Sequence, residues 1–436
     1  MSHRRAFLGQ LATLAGAASV GRLIEADRLM GASMKRVSTT AAGDRSGTGV
    51  AGSRDFREEY LLGPGVVYLN HASIGTVPKA VQKAHKTYLD VCEENPWLYM
   101  WGGAWEEPRE AVREKVAAFV GCDPEDLALI HNTTEGFNVL AAGLPLGPGD
   151  EVLFSTLNHP GASICWDHCA ESRGFSVRRF EFPVLDVPQL SAADVVDLHM
   201  REVGPRTRVL VFPHVDNVVG LRHPLRELAM AAHDRGVEFV AVDGAQTVGM
   251  LPIALASSEV DFYAASPHKW VQAPKGSGLL YVRRTVRDEL RPLSVTWGQE
   301  RWAGTARIYE DYGTRDLPGL LALGDAIDFQ SAIGDRTKGE SLSAMRRALQ
   351  AGVEATPGLE WRSPESWEMG ASLAAVEVGE LESAAFFERA RRERGLVFRP
   401  FNTLGLNTVR ISPNLITSRE EVGVFLEAAG AAASEG

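Results

Sequence analysis

Short apolar runs alternate with longer segments of helical periodicity between residues 85 and 285, and this alternation limits the possible folds more than any other feature. The runs are Leu127–Ile130, Glu151–Phe154, Val209–Phe212, Phe239–Val242, Phe262–Ala264 and Gly278–Val282. Apolar strands separated by helices are typical of a mostly parallel sheet that is covered on both faces. Ligands bind beyond the carboxyl ends of such strands, so we expect function in the polar residues that follow each run.

The domain organisation follows from where this alternation begins and ends. The chain has 436 residues, enough for roughly two to three domains. We expect an N-terminal arm, which includes a short strand near Tyr68, and a large domain over residues 55–315. After about Arg315 the pattern becomes helical over Leu320–Gln330 and Glu340–Ala351 and then alternates between strand and helix. This pattern predicts a smaller C-terminal α+β domain over residues 316–436.

The first residues read as an export signal. Arg4 and Arg5 precede 16 uncharged residues, Ala6–Gly21, which are too few to span a membrane. A polar, Gly/Ser/Thr-rich stretch follows from about Arg36 to Ser53. We therefore expect a twin-arginine signal peptide and flexible linker over residues 1–54, recognition by the twin-arginine export machinery, and a periplasmic or exported protein. The alternative is an amphipathic N-terminal helix that happens to follow two arginines.

Charge and cysteine content exclude several classes of protein. The formal net charge is −11; residues 1–54 carry eight basic and three acidic residues, or +5, which leaves −16 for the remainder. An acidic body argues against binding to nucleic acid. The four cysteines, Cys92, Cys122, Cys165 and Cys169, lack the spacing of a zinc site, and a disulfide framework is not expected in a chain this long. We therefore expect no metal and no nucleic-acid partner.

Three groups of polar residues follow the strands and fit one ligand. Asp243 follows Phe239–Val242, and Lys269 follows the strand after it, where a desolvated lysine can form a Schiff base. Thr133 and Thr134 follow Ile130 and begin a helix whose N-terminus can bind phosphate. Alone, each group has a simpler interpretation: a turn residue, a surface lysine or a helix cap. Together they match the ring nitrogen, aldehyde and phosphate of pyridoxal 5′-phosphate (PLP).

Longer motifs around these residues carry a family resemblance. They are Tyr68-Leu-Asn-His-Ala, Asn158-His-Pro, His214-Val-Asp-Asn217, Val242-Asp-Gly-Ala-Gln246 and His268-Lys-Trp-Val-Gln-Ala-Pro-Lys-Gly-Ser-Gly-Leu. Over about residues 60–425 the chain resembles the class V aminotransferase family of fold-type I PLP enzymes, in particular its isopenicillin N epimerase-like branch. The resemblance implies a seven-stranded, mostly parallel sheet in the large domain and a smaller C-terminal domain.

The resemblance also implies the roles of the cofactor-binding residues. Lys269 is the lysine that forms the Schiff base, Asp243 pairs with the pyridine nitrogen, and His159 stacks over the ring; these three are the candidate catalytic residues. Gln246 and Asn217 lie beside O3′. Phosphate contacts come from Thr133, Thr134, Ser266 and His268, and from Thr314 of the neighbouring subunit. This last contact implies a homodimer with shared active sites.

Substrate contacts are assigned to three residues, each with a plainer alternative. Arg410 resembles the family's arginine that binds the substrate α-carboxylate, although it could also be a surface arginine on an edge strand. His71 and Tyr68 are candidate substrate contacts in the arm, although His71 could simply stabilise a loop. His159 could likewise be an ordinary loop histidine.

The motifs leave the reaction open. In this family Lys269 removes the substrate α-proton to give a quinonoid, from which epimerisation, transamination or β-elimination can follow. A cysteine desulfurase is disfavoured because no cysteine follows Cys169. The export signal makes the chain similar to exported members that tailor pyoverdine siderophores, so we expect an amino-acid or peptide substrate in secreted-metabolite tailoring. A non-catalytic binding protein of the same fold is the alternative from another class.

Overall fold

A computed structural model describes residues 56–435 of the chain, so the predicted export segment lies outside the described residues. The strands are β1 (Val67–Tyr68), β2 (Leu127–Ile130), β3 (Glu151–Ser155), β4 (Ser176–Phe180), β5 (Thr207–Pro213), β6 (Phe239–Asp243), β7 (Phe262–Ala265), β8 (Gly278–Val282), β9 (Leu359–Trp361), β10 (Ala374–Val378), β11 (Leu396–Val397), β12 (Arg399–Thr403) and β13 (Leu406–Ile411). The α-helices are α1 (Lys79–Glu94), α2 (Pro96–Met100), α3 (Glu106–Val120), α4 (Thr133–Gly143), α5 (Pro160–Arg173), α6 (Ala192–Glu202), α7 (Leu225–Asp234), α8 (Gly298–Arg301), α9 (Leu317–Ile333), α10 (Asp335–Glu354), α11 (Ser383–Arg394) and α12 (Arg419–Ser434).

The large sheet has seven strands in the order β2-β8-β7-β6-β5-β3-β4. Neighbouring strands of this sheet pair in parallel, except that β8 runs antiparallel to both β7 and β2. All six apolar runs form strands of this sheet, so the predicted α/β fold with a mostly parallel seven-stranded sheet is confirmed.

Apolar side chains cover both faces of this sheet. Along β2, Leu127 and Leu129 pack into one buried cluster, whereas Ala128 and Ile130 pack into another. Successive side chains of a strand point to opposite faces, so neither face is left to solvent. No helix of the described residues is long and apolar enough to cross a membrane.

The seventh strand, β4, is the one without an apolar run in the sequence. It pairs only with β3, at the edge of the sheet, and it carries Arg178 and Arg179 at positions that are not fully buried. Edge strands tolerate charge because one side meets solvent. Hydrophobic patterning therefore could not identify this strand.

A second sheet, with four antiparallel strands, follows the long helices after residue 316. Its strand order is β12-β13-β10-β9, and helices α10, α11 and α12 share a buried apolar cluster with it. The predicted helices are longer than expected: α9 begins after Asp316, whose carboxylate accepts a hydrogen bond from the Gly319 N–H at 2.9 Å, and Gly334 separates α9 from α10. Helix α10 likewise begins before the apolar pattern that predicted it, and charged residues make up much of its first turn.

The N-terminal arm runs from a separate two-stranded sheet, formed by β1 and β11, to the carboxyl end of strand β7 in the large sheet. β1 pairs in parallel with β11, and Asn70 forms a bridge with Ser412 next to β13. Farther along, the Gly75 N–H donates to the His268 carbonyl at 2.9 Å. The arm therefore brings its loop to the turn that carries Lys269.

Candidate active site

A cavity of about 470 Å³ lies at the carboxyl ends of the parallel strands, where the sheet topology predicts a ligand. We call it the main cavity. It brings together ten of the predicted site residues: Thr133, Thr134, His159, Asn217, Asp243, Gln246, Ser266, His268, Lys269 and Arg410. It also contains eight residues that were not predicted as site residues: Ala72, Ser73, Asn132, Pro160, Gly161, Ala245, Arg399 and Phe401.

Asp243 and Lys269 come from neighbouring parallel strands. Asp243 ends β6, is 5% exposed, and accepts a hydrogen bond from the Ala245 N–H at 2.9 Å, which fixes the carboxylate. Lys269 follows β7 in a turn closed by its N–H to the Ser266 carbonyl at 3.1 Å. Burial lowers the pKa of the Lys269 ammonium to about 8; Asp243 opposes this shift and Arg410 adds to it. At physiological pH, a much larger fraction of the Lys269 amine is therefore uncharged than in a surface lysine.

The turn that carries Lys269 is held by close backbone contact with the arm. A Cβ on Gly75 would lie 2.0 Å from the Lys269 carbonyl oxygen and 3.0 Å from that of His268. Only glycine permits this approach, because any other side chain would collide with backbone. Gly75 is thus a positioning residue that sequence reasoning missed, since a single glycine in a loop has no distinctive pattern.

One end of the main cavity has the chemistry of a phosphate site. Helix α4 begins at Thr133, and the Asn132 side chain caps it by accepting from the Glu135 N–H at 2.9 Å. The Ser266 hydroxyl accepts from the Thr133 N–H at 2.9 Å and lies 2.7 Å from the Thr133 hydroxyl. Hydroxyls and free N–H groups at a helix N-terminus bind anions well.

His159 occupies the N-cap position of helix α5. Its Nδ1 accepts a hydrogen bond from the Gly161 N–H at 3.0 Å, which assigns the proton of the neutral ring to Nε2. Burial lowers the pKa of this imidazole; Asp243 opposes the shift, and Lys269 adds to it. The side chain is therefore a neutral, fixed ring at the wall of the cavity, as stacking on a flat ligand requires.

Gln246 is fixed by two hydrogen bonds within the protein. Its Nε2 donates to the Ala72 carbonyl at 2.9 Å, and its Oε1 accepts from the Trp270 indole N–H at 2.8 Å. An amide nitrogen carries two hydrogens, so one N–H remains for a ligand in the cavity.

Arg410 enters from β13 of the small sheet and is 3% exposed. Its Nη1 donates to the Asn217 carbonyl at 2.8 Å, and its Nη2 donates to the Ser73 hydroxyl at 2.6 Å and to Asn70 Oδ1 at 3.2 Å. Its Nε is buried and has no protein partner. These contacts hold the guanidinium in place and leave N–H groups for a ligand.

Three predicted residues do not line the main cavity. His71 is 0% exposed, with Nδ1 3.2 Å from the Ser412 carbonyl, and Tyr68 packs edge-on against it and donates to the Ile74 carbonyl at 2.8 Å. Their hydrogen bonds are made within the arm and to Ser412, next to β13. Thr314 lines a separate cavity of about 300 Å³. In the single chain described here, these placements leave their predicted substrate and partner-subunit contacts as predictions.

The residues present fit PLP. A carboxylate, a lysine and a helix N-terminus line one cavity, as the pyridine nitrogen, aldehyde and phosphate of PLP require. His268 Nδ1 and Arg410 Nε are buried polar atoms without a protein partner at the same cavity. Unpaired buried donors and acceptors are costly, so a polar ligand stabilises this arrangement.

Comparison with known proteins agrees with this geometry. Residues 67–399 match the family described as aminotransferase class-V. The chain is 31% identical over 414 residues to isopenicillin N epimerase of Streptomyces clavuligerus, an alignment that covers 88% of this chain and 100% of the relative. It is 30% identical over 324 residues to a cysteine desulfurase of Dickeya dadantii, covering 70% of this chain and 76% of the relative.

A solved structure shares the fold. It is a lysine mutant of C-DES with glycine covalently linked to its PLP cofactor, with a TM-score of 0.78 and 22% identity, and the match covers 87% of this chain and 99% of that one. Together with the cavity described above, these similarities identify the cofactor as PLP and the protein as an enzyme. The chain belongs to the class V aminotransferase family.

Proposed function

We propose that this enzyme acts at the α-amino centre of an amino acid or peptidyl amine, by epimerisation or transamination. The observation that carries the proposal is the placement of a buried lysine of lowered pKa and a buried arginine, Lys269 and Arg410, in the same cavity as Asp243. When bound, PLP supplies an electron-accepting ring that stabilises negative charge at the substrate α-carbon.

Lys269 is the proposed base. Because the pKa of its amine is lowered to about 8 by burial, a substantial fraction of Nζ is neutral near that pH and can take a proton from the α-carbon. Asp243, whose carboxylate the Ala245 N–H holds in place, would pair with the ring nitrogen of bound PLP. Arg410 binds the substrate carboxylate through N–H groups that the protein leaves free.

The cysteines support this choice over a desulfurase. None of the four cysteines lines the main cavity. Burial raises the pKa of Cys122 and of Cys165 to about 12, so neither provides a thiolate near neutral pH. The similarity to cysteine desulfurases therefore supports the shared cofactor site rather than their sulfur chemistry.

The test follows the substrate α-proton. In ²H₂O, the purified enzyme with PLP should incorporate deuterium at the α-carbon of its amino-acid substrate, and Lys269→Ala should abolish incorporation. Chiral analysis then separates the outcomes: the opposite enantiomer indicates epimerisation, and a keto acid in the presence of an amino-group acceptor indicates transamination. Loss of a β-substituent, or no exchange with any amine, would contradict the proposal and favour a lyase or a non-catalytic binding protein.

We further propose that the enzyme is a homodimer. Two large apolar side chains that line the same cavity as Thr314, Trp101 and Trp297, are exposed, and so are Trp97, Leu293 and Val295, which lie within four residues of them in the sequence. Trp101 and Trp297, 52% and 63% exposed, lie with ring centroids 6.1 Å apart. Such patches on a protein surface mark interaction sites. A second copy covering this patch would bring Thr314 towards the site of its partner, as the family resemblance implies.

We also propose that residues 1–54 direct export by the twin-arginine route and that the enzyme tailors a secreted peptide or metabolite. The support is the order of basic, apolar and polar segments in the sequence. The experiment fuses residues 1–54 to a reporter that folds in the cytoplasm. We expect the reporter to reach the periplasm and to remain in the cytoplasm when Arg4 and Arg5 are both changed to Lys. Export that this change does not affect would contradict the proposal.

A further inference from the structure

Two arginines from neighbouring strands of the small sheet line the main cavity. Arg399 on β12 lies directly opposite Arg410 on β13 in the antiparallel register. The guanidinium carbons of both lie near the ring of Phe401, at 5.8 Å and 5.3 Å from its centroid. Burial lowers the pKa of Arg410 to about 9, and the like charge of Arg399 contributes to this shift. Two positive charges are therefore held close together at one wall of the cavity.

The two guanidinium groups differ in what they contact. Arg410 is buried and donates three hydrogen bonds to protein acceptors. Arg399 is exposed, and no described residue accepts a hydrogen bond from it or forms an ion pair with it. Phe401, also at the cavity, lies beside its guanidinium as a cation–π partner. All five N–H groups of Arg399 are thus available to a ligand.

The charges around the cavity leave Arg399 without a role in cofactor binding. The charged side chains that line it are one carboxylate, Asp243, and three cationic groups, those of Lys269, Arg399 and Arg410. PLP uses Asp243 and Lys269, and the substrate α-carboxylate uses Arg410. With the PLP phosphate placed at the N-terminus of α4 and the α-carboxylate placed at Arg410, Arg399 is the cation that has no assigned anion.

We propose that Arg399 determines substrate specificity by binding a second carboxylate of the substrate, separate from the α-carboxylate that Arg410 holds. This inference rests on the proposed function and names its substrate class: amino acids or short peptides that carry a distal carboxylate. A guanidinium binds a carboxylate through two parallel hydrogen bonds, and its single charge matches that of the ligand. The Phe401 ring beside it offers an apolar surface for the methylene groups between the two carboxylates.

The experiment uses pairs of substrates that differ only in the distal charge. The first pair is L-glutamate and L-glutamine; the second is γ-glutamylglycine and its C-terminal amide. For at least one pair, we expect the enzyme with PLP to show a kcat/KM for α-proton exchange about tenfold higher for the carboxylate than for the amide. Preference within the first pair alone identifies a side-chain carboxylate, and preference within the second alone identifies a peptide C-terminus.

Arg399→Gln should reduce that ratio to near one, and Arg399→Lys should retain part of it. The matched control is Arg336→Gln, which changes an exposed arginine of α10 that pairs with Glu340 at the surface and should leave the ratio unaltered. A ratio near one for both pairs in the unaltered enzyme, or a ratio that Arg399→Gln preserves, would overturn the inference.

A binding measurement separates this inference from the proposed reaction. Glutarate and its monoamide have no amino group to react, and calorimetry measures their affinity for the enzyme with PLP. Tighter binding of glutarate, abolished in Arg399→Gln but retained in Arg336→Gln, supports the second carboxylate site even if no amine exchanges its α-proton. Equal binding of the two compounds, with exchange intact, overturns the site and leaves the proposed reaction standing.

Discussion

Gly75 shows how strongly the lysine of this site depends on one residue outside it. We expect Gly75→Ala to displace the turn of Lys269, because the new methyl group would lie 2.0 Å from the Lys269 carbonyl oxygen. The cofactor should then be held less firmly. The measurement is PLP bound per chain after extensive dialysis, together with the absorbance of the bound cofactor.

The control for this change is Gly339→Ala in helix α10, where an added Cβ meets no atom within 4 Å. Alanine there should stabilise the helix by about 0.5–1 kcal/mol and leave cofactor binding unaltered. Equal PLP retention by Gly75→Ala and the unaltered enzyme would show that the close contact does not position Lys269.

At the residue scale, the sequence revealed those site residues that follow strands in short motifs. Lys269 and Asp243 could be found because strand ends and residue chemistry specify them. Arg399 and Phe401 could not, because only the pairing of β12 with β13 brings them to the cavity. His71 belongs to a recognisable motif, yet its ring is fully buried; burial of a short loop side chain depends on tertiary packing, which no local pattern records.

At the scale of elements, a buried ion pair ties helix α3 to the edge of the large sheet. Arg113 donates from Nη1 and Nη2 to the two carboxylate oxygens of Glu310 at 2.7 and 2.6 Å, and Glu310 also accepts from the Leu129 N–H at 2.6 Å. Burial alone would raise the pKa of the Glu310 carboxyl, but Arg113 outweighs it and lowers the pKa to about 2.

We expect Glu310→Gln to lower the free energy of unfolding by about 3 kcal/mol, because it removes the buried carboxylate that pairs with both terminal nitrogens of Arg113 and leaves only the partly exposed Glu110 as an ion partner. Urea denaturation at pH 7 measures this loss. The matched control is Glu340→Gln, which breaks an exposed pair with Arg336 and should cost no more than about 0.5 kcal/mol. Similar losses in the two variants would contradict the assigned role of burial.

Three buried histidines make the packing of α6 and α7 against the sheet sensitive to acid. Burial lowers the pKa of His199 to about 4 and that of His214 to about 3, and it also lowers the pKa of His223. His199 Nδ1 lies 2.8 Å from the Val195 carbonyl, so this nitrogen carries the proton, and Nε2 is buried without a partner. Protonation would place an unpaired charge among apolar rings.

Because of these histidines, we expect the free energy of unfolding to decrease as the pH falls below about 6.5. In that pH range the histidines bind protons in the unfolded chain but not yet in the folded one. The loss should continue until the pH reaches the folded pKa values, and His199 alone should account for roughly 3 kcal/mol of it. Urea denaturation at pH 7 and pH 5 measures the slope, which should be smaller in His199→Phe. An unchanged slope would show that His199 is not responsible.

The elements that the sequence identified are those buried on both faces. Six strands of the large sheet, including the edge strand β2, have apolar runs, whereas β4, at the opposite edge, carries charged residues that interrupt the pattern. The strands of the small sheet are also harder to recognise, since β12 exposes much of its length. Solvent contact thus limits what hydrophobic patterning can predict.

At the scale of the whole molecule, the exposed tryptophans make the oligomeric state testable. Sedimentation of the protein without residues 1–54 should give twice the mass of one chain. Trp297→Glu should lower the measured mass towards that of the monomer, because burying a charge at an interface is costly. Leu185→Glu, at a residue 61% exposed on another loop, is the control and should leave the dimer intact. A monomer at micromolar concentration would contradict the proposed shared site.

The main cavity draws its residues from Ala72 in the arm to Arg410 in the last strand. Because the ribosome makes a chain from its N-terminus, the lysine and the carboxylate of the site emerge well before the arginines that complete it. Synthesis of nearly the entire chain must therefore precede capture of cofactor in a finished pocket. A chain released early, before β12 and β13 exist, would keep Lys269 yet lack the wall that selects its substrate.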